Sequence, residues 1–512
     1  MHLPVRRLAV FSVLVTMASL PAIRACAAEP ALPLTLRPGV HLLIDDHYVA
    51  KSDRVQRRVQ QPRRTLNEPI VGGSVEQQNW QPFLTVVHDR TRPARPFRMW
   101  YNVDVIDNTT DGEYFGATGL LESADGIHWP GPYNRLTTLA IDGRVRFGAS
   151  VLDDGPDHSI PAERYKMLYF DAGKDAGPRV AFSADGITWA MHDGGKPVIG
   201  TNNGDDIWTS GYDPIRKRYF LIGKTFVPCT WTNAEGQTVT ATIRRYFTRF
   251  SSDFKTWSEP KMVYSPDERD EGITQWYGSA GYLVRGDLIL GFLRVLRDDL
   301  TTEGAPPEAI AANTKGSAGL GSSGLGTSGG AGMGYTVLTW TRDGQTWHRD
   351  RHTDKFFEPD PRVGSWDHAM AWVGSAVPVD NEVLLYYAGY RWGHKYHHSI
   401  DRQIGLVKMK RDRYVARSAD ADGGTLTTRV MTMNAEALLL NVDSSAGDVR
   451  VQVCDATGQP IPGYRFEDCR AVKLDALEAP VQWARPLSIL RDRPLVLQFS
   501  LRQASLFAFE TR

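Results

Sequence analysis

The chain has 512 residues, 42% of them hydrophobic and 23% charged, a globular composition long enough for two or three domains and no basis for extended disorder. Its 59 Lys and Arg balance its 59 Asp and Glu, so no net field draws it to nucleic acid or to an anionic membrane, and a neutral partner suits it better. The 14 Trp and 19 Tyr supply rings that serve either as sugar platforms or as core, and composition does not choose between them.

Residues 1–28 open with His2, Arg6 and Arg7, continue through an apolar run from Leu8 to Leu20, and end in Ala25-Cys26-Ala27-Ala28. This pattern predicts a secretory signal peptide and export to the periplasm or beyond. Arg24, two positions before Cys26, argues against a lipid attachment site. The apolar run falls short of the roughly 20 residues of a spanning helix, and no later segment reaches that length, so no membrane partner is expected.

An internal repeat dominates the next 320 or so residues. Ser123-Ala-Asp-Gly-Ile-His-Trp129, Ser183-Ala-Asp-Gly-Ile-Thr-Trp189, Ser251-Ser-Asp-Phe-Lys-Thr-Trp257 and Thr341-Arg-Asp-Gly-Gln-Thr-Trp347 share a hydroxyl, an Asp and a Trp. Each follows an alternating apolar segment, and Asp-Gly is hairpin-turn chemistry, so each box is predicted to be a structural turn. The Asp accepts backbone N–H bonds there while the Trp packs beside it. The Trp residues lie 60, 68 and 90 apart, and the long gap contains a Gly/Ser-rich stretch. Ahead of each box come an irregular start and strand patterns such as Phe97-Arg-Met-Trp-Tyr101 and Tyr165-Lys-Met-Leu-Tyr169. A fifth copy without a box contains Val383-Leu-Leu-Tyr-Tyr387.

Four-stranded units arranged about an axis predict an all-β fold, a five-bladed β-propeller over 38–418, followed by a small C-terminal β-sandwich over 422–512. His41-Leu-Leu-Ile44 is expected to close the last blade, and 301–334 to form a mobile insertion. Cys454 and Cys469 either form a disulfide, leaving Cys229 unpaired, or remain buried thiols. No spacing points to a zinc site.

On the stretches Leu42-Leu-Ile-Asp-Asp-His-Tyr48, Arg164-Tyr-Lys-Met-Leu-Tyr169, Tyr212-Asp-Pro-Ile-Arg-Lys-Arg-Tyr219, Thr274-Gln-Trp-Tyr-Gly278, Gly364-Ser-Trp-Asp367, Gly424-Thr-Leu-Thr-Thr428 and Pro462-Gly-Tyr-Arg-Phe-Glu-Asp-Cys469, the chain resembles bacterial proteins with a glycoside hydrolase family 32 N-terminal-like domain. These belong to the five-bladed superfamily that also includes family 43. The resemblance implies the fold more than the activity. The family 32 nucleophile motif, Trp-Met-Asn-Asp-Pro-Asn-Gly, is missing, as are the Arg-Asp-Pro and Glu-Cys pairs, so the invertase double displacement does not transfer.

In such propellers the start of each innermost strand faces a shared central pocket. The segments that would meet there carry Glu76, Gln77 and Trp80, then Arg146, then Asp205 and Asp206, then Glu271, Gln275 and Tyr277, and finally Trp366, Asp367 and His368. Glycoside cleavage needs one carboxylic acid to protonate the leaving oxygen and one carboxylate to activate water or attack the anomeric carbon. Crowding raises one pKa, as the general acid requires. Glu76, Asp206 and Asp367 are therefore the catalytic candidates, with their individual roles open. Trp80, Arg146, Asp205, Gln275, Tyr277, Trp366, His368 and His394 are the substrate-binding candidates. Each acid has a structural alternative as a turn cap or strand anchor. Trp80, Trp276 and Trp366 face either sugar or neighbouring blades. His394, His397 and His398, with Trp392 and Tyr396, read as a substrate-binding or surface loop rather than a metal site. Asp45, Asp46 and Asp213 read as turn residues.

The predicted function is a secreted glycoside hydrolase acting on an oligo- or polysaccharide, with a furanoside as one candidate substrate, that needs no cofactor beyond an optional structural cation. The alternative is a propeller that binds carbohydrate without turnover. A sialidase-like enzyme fits less well, because the boxes are one residue short of the sialidase form.

Overall fold

The computed structural model describes residues 32–71, 83–106, 114–131, 146–171, 175–200, 208–272, 274–297, 299–316, 332–393 and 402–512. The proposed signal peptide lies outside them. Among the described residues the chain is nearly all β, and no helix is long and apolar enough to cross a membrane.

Five antiparallel strand groups follow one another along the chain. Their inner strands are Leu84–His88, Arg146–Asp153, Trp208–Asp213, Thr274–Arg285 and Met370–Val379. Each pairs with a middle strand, and that with a third, as in Trp208–Asp213 with Arg218–Thr232 and Thr238–Ser251. The fourth and fifth groups share one sheet only through the parallel pair Gly334↔Met370. Each inner strand touches the inner strand of the next group, and the fifth touches the first, so the contacts run in a closed circuit.

Side chains stitch every seam of that circuit. Val151 N donates to Thr85 Oγ1 (3.3 Å), Ser150 and Ser210 share a hydroxyl hydrogen bond (3.0 Å), and Thr209 Oγ1 donates to Ser279 O (2.7 Å). Arg294 Nε donates to Val373 O (3.1 Å) and Val86 N to Ser375 Oγ (3.0 Å).

The four repeated boxes are turns, as their chemistry predicts. Asp125, Asp185, Asp253 and Asp343 each accept two backbone N–H bonds, from the residues two and three positions on, at 2.6 to 2.9 Å. The box hydroxyl donates to the same carboxylate at 2.9 to 3.1 Å. The residue after the Asp is left-handed in all four, with φ of +73° at Gly126, +71° at Gly186, +64° at Phe254 and +69° at Gly344. Glycine takes that conformation without a Cβ penalty.

The boxes also lock neighbouring groups together. Arg98 Nη1 and Trp100 Nε1 of the first group donate to Asp185 O (2.7 Å) and Gly186 O (2.8 Å) of the second. Lys255 of the third group reaches Glu163 of the second (2.8 Å), Arg216 and Arg218 of the third donate to the Arg342 and Asp343 carbonyls of the fourth, and Tyr386 of the fifth donates to Gly126 O of the first (2.7 Å). The one seam without a box, between the fourth and fifth groups, has Trp372 Nε1 donating to Val295 O (2.9 Å).

Two six-stranded sheets complete the fold. One contains Leu34–Leu36, Val49–Asp53, Gly424–Thr428, Met431–Met433, Asp448–Asp455 and Leu495–Arg502. The other contains Gly39–Leu42, Gln56–Val59, Val415–Ala419, Leu438–Asp443, Asp475–Pro480 and Ala504–Thr511. Side chains from both sheets, among them Leu36, Leu43, Leu440, Val451, Phe499 and Phe509, share one core.

One expectation is corrected. The His41–Ile44 segment does not close the last propeller-like group, because Gly39–Leu42 pairs with Ala504–Thr511 in the second of those sheets. The outer partner of Arg402–Lys410 is instead Arg63–Arg64. Part of the 301–334 insertion has regular structure. Pro307–Gly316 is helical, with Glu308 in its first turn and Ala309 fully buried, since proline and an acid suit a helix start.

Candidate functional site

The five inner strands enclose a cavity of about 240 Å³, lined by residues from every group, including Thr85, Ser150, Ser210, Tyr282, Arg294 and Ser375. Its lining mixes the hydroxyl residues of the seams with apolar side chains such as Phe83, Leu84, Val151 and Trp208.

Of the acids expected to converge there, Glu76 and Asp206 lie outside the described residues, as do Gln77, Trp80, Asp205 and the histidines 394, 397 and 398. Arg146 begins the inner strand of the second group, pairing across to Asp171. Gln275 and Tyr277 come together around Arg244. Gln275 is buried and accepts a hydrogen bond from Arg244 Nη1 (2.8 Å), while the Arg244 guanidinium lies 4.9 Å over the Tyr277 ring. The opposite face of Tyr277 stacks on Trp372 at 4.5 Å and 15°.

Asp367, His368 and Trp366 form a second cluster, just before the inner strand of the fifth group. Asp367 is 1% exposed, and both of its oxygens are engaged. Oδ2 accepts from Arg64 Nη2 (3.0 Å) and the Tyr387 hydroxyl (2.9 Å), and Oδ1 from Ser365 Oγ (2.9 Å). Arg64 comes from the strand that closes this group, so Asp367 ties that strand to the group's first turn. His368 places its two ring nitrogens 2.8 Å from Asp360 O and 3.1 Å from Glu303 O. Trp366 stacks on Tyr387 (5.4 Å), donates to Asn67 O (3.1 Å) and lies against Gly389 and Gly405, whose lack of a side chain makes room for it.

The remaining singled-out residues have structural partners. Trp276 is fully buried under the Arg349 guanidinium at 4.1 Å. Asp213 accepts the N–H groups of Ile215 and Arg216, as a turn residue does. Asp45 accepts from Trp340 and Arg342; burial pushes its carboxyl up, but the Arg342 hydrogen bond and charge hold it below the usual range. Asp46 pairs with Arg417 (2.7 Å). Cys229, Cys454 and Cys469 are buried free thiols, so the bridged alternative is not realised. No group of three or more ligating side chains suited to a metal occurs among the described residues.

Two buried arginines at this end escaped the sequence reading. Arg244 is 8% and Arg294 3% exposed, and neither forms an ion pair with a carboxylate among the described residues. Arg294 left a legible trace, a charge inside the apolar run Leu288-Ile-Leu-Gly-Phe-Leu-Arg-Val-Leu296.

No protein-family model and no curated protein sequence matches the chain. Among solved structures, it is similar to a glycosyl hydrolase from Bacteroides ovatus, at 13% identity over 74% of this chain and 98% of that one, with a TM-score of 0.43. A second similar structure is an N-acetylgalactosamine deacetylase from F. plautii in complex with blood group B trisaccharide, at 14% identity over 74% and 96%, TM-score 0.42. A third is the Bombyx mori GH32 β-fructofuranosidase BmSUC1, at 10% identity over 87% and 94%, TM-score 0.40.

Proposed function

We propose that the five strand groups are the blades of a β-propeller, that the two six-stranded sheets are a β-sandwich beside it, and that the protein is an exported glycoside hydrolase acting on an oligo- or polysaccharide. The observation that carries this reading is the closed circuit of inner strands around a shared cavity, because it draws sequence-distant strands to one place. Glu76 and Asp206 belong to segments that precede two of those strands, and they are assigned here as the acid and base pair. One protonates the leaving oxygen while the other activates water or attacks the anomeric carbon, and this needs no cofactor. Asp367 is assigned to hold the fifth blade's first turn in register, since its oxygens are already occupied.

The test is release of reducing sugar by the full chain across a panel of neutral and acidic oligosaccharides. Activity on at least one member, lost in both Glu76→Gln and Asp206→Asn while the fold is kept, is the expected result. Cleavage that survives both substitutions, or none by the unaltered protein, refutes the hydrolase assignment.

The saturated Asp367 favours one second reading, a propeller that binds carbohydrate without cleaving it. Binding across the same panel without turnover would establish it.

A further inference from the structure

Six of the eight buried arginines among the described residues are matched to carboxylates, and Arg244 and Arg294 are not. Arg349 meets Asp270 at 2.8 Å, Arg297 meets Asp299 at 2.7 Å and Arg413 meets Asp475 at 2.6 Å. Arg294 is the exception on the axis. It stands in the strand Leu288–Arg297, every residue of which is buried. Its Nε donates to Val373 O (3.1 Å), which leaves the four N–H bonds of its terminal nitrogens without an acceptor among the described residues. Among the described residues the largest electrostatic influences on it come from the Tyr390, Tyr246, Tyr277 and Tyr282 hydroxyls and not from a carboxylate.

The guanidinium packs close to Gly374. A Cβ at position 374 would sit 3.3 Å from Arg294 Nη2 and 3.2 Å from Leu84, and both Gly374 and Arg294 line the axial cavity. Phe83, on the far side of the first seam, lies 5.8 Å from the Arg294 head. A buried cation without a counter-charge among the described residues is strongly unfavourable, and burial lowers the Arg294 pKa accordingly. An arginine kept in that state, facing a cavity, is poised for an anion from outside. The planar fork of a guanidinium matches a carboxylate in two-point contact. The cavity is smaller than the roughly 300–1,000 Å³ of sites for drug-sized ligands, so it suits one small acid group or one sugar-acid residue.

We propose that Arg294 anchors a carboxylate-binding subsite in the axial cavity and that the saccharide recognised by this protein carries a uronic acid. The subsite rests on the carbohydrate reading given above for the choice of ligand, but not on turnover.

The test is calorimetric titration of the full chain with D-galacturonate, D-glucuronate, D-galactose and acetate. A uronate is expected to bind at least tenfold more tightly than galactose, with that preference lost in Arg294→Gln and partly kept in Arg294→Lys. Gly374→Ala keeps the charge but displaces the head, and is expected to weaken the uronate at least tenfold as well, which serves as the test should Arg294→Gln fail to fold. Equal affinity for uronate and galactose, or a preference that survives both Arg294→Lys and Gly374→Ala unchanged, overturns the proposal. Acetate binding as tightly as uronate overturns the sugar-acid assignment. Arg294-dependent uronate binding without cleavage of any glycan would remove the hydrolase assignment and leave this subsite standing. Cleavage of neutral glycans without uronate preference would do the reverse.

Discussion

Three glycines separate backbone strain from packing in the inter-group locks. Alanine at Gly155 (φ +88°) meets nothing within 4 Å, so Gly155→Ala costs only the left-handed conformation, about 1–2 kcal/mol. Gly186 (φ +71°) carries the same strain, but its Cβ would lie 2.7 Å from Arg98 Nη1 and 2.7 Å from Trp100 Cζ2. The Trp100 ring cannot withdraw freely, since its Nε1 donates to Gly186 O at 2.8 Å and it is fully buried. Overpacking of this kind adds about 1–3 kcal/mol, giving about 2–5 kcal/mol for Gly186→Ala. Gly344 (φ +69°) is intermediate, because its Cβ would meet the tips of Arg218 and Asp213 at 2.9 Å, which are ends of side chains rather than a ring. Equilibrium urea unfolding followed by tryptophan fluorescence measures all three. The expected order of destabilisation is Gly186→Ala, then Gly344→Ala, then Gly155→Ala. If Gly186→Ala costs no more than Gly155→Ala, the box does not act as an inter-group lock.

Asp350 gives a pH prediction of definite sign. Burial raises its pKa to about 7 even though Arg57 sits 2.7 Å from Oδ1, because Oδ2 is buried without a partner. Between the unfolded value near 3.8 and about 7, the unfolded chain releases a proton that the folded chain keeps, so this group's contribution to stability falls as pH rises through that window. Asp350→Asn should therefore gain on the unaltered protein by about 2–3 kcal/mol between pH 5 and pH 8, and a gap that does not widen with pH in denaturation curves contradicts it. Asp367→Ala removes the ion pair of Arg64, which keeps its bond to Glu358 O, and leaves the buried Tyr387 hydroxyl unpaired; it should cost about 3 kcal/mol, read as a lowered melting temperature, with Asp367→Asn milder. Ser150→Ala removes both the hydroxyl bond to Ser210 and the acceptor for Ser210 N (3.0 Å), for a loss of about 1–2 kcal/mol by the same urea assay.

The four boxes were legible because one local rule fixes them, a short acid that caps a turn two to three residues on, followed by a residue able to turn left-handed. That Phe254 takes this conformation where the other boxes have glycine shows the carboxylate cap to be the constant part and glycine the easy solution. The closing strand was misplaced for the opposite reason. An apolar run such as His41–Ile44 announces a buried strand but not its partner, and the sheet containing Ala504–Thr511 accepts it as well as a propeller edge would. The strand that does close the group, Arg63–Arg64, has two residues and two charges, which is how an edge strand looks when it discourages further pairing.

The site divides along the same line. A carboxylate at a strand start reads alike whether it faces substrate or holds a turn, and the difference for Asp367 lies in Arg64, about 300 residues earlier in the chain, which no local pattern connects to it. Arg294 is the contrary case. A charge within an otherwise apolar run from Leu288 to Leu296 has no surface to reach, so its burial follows from its neighbours alone, while the absence of an ion pair to it among the described residues is visible only in the fold. Residues whose local setting is unfavourable for their own chemistry are therefore the ones from which binding can be inferred in this fold, while residues whose setting is merely favourable, as at Asp367, mark the scaffold.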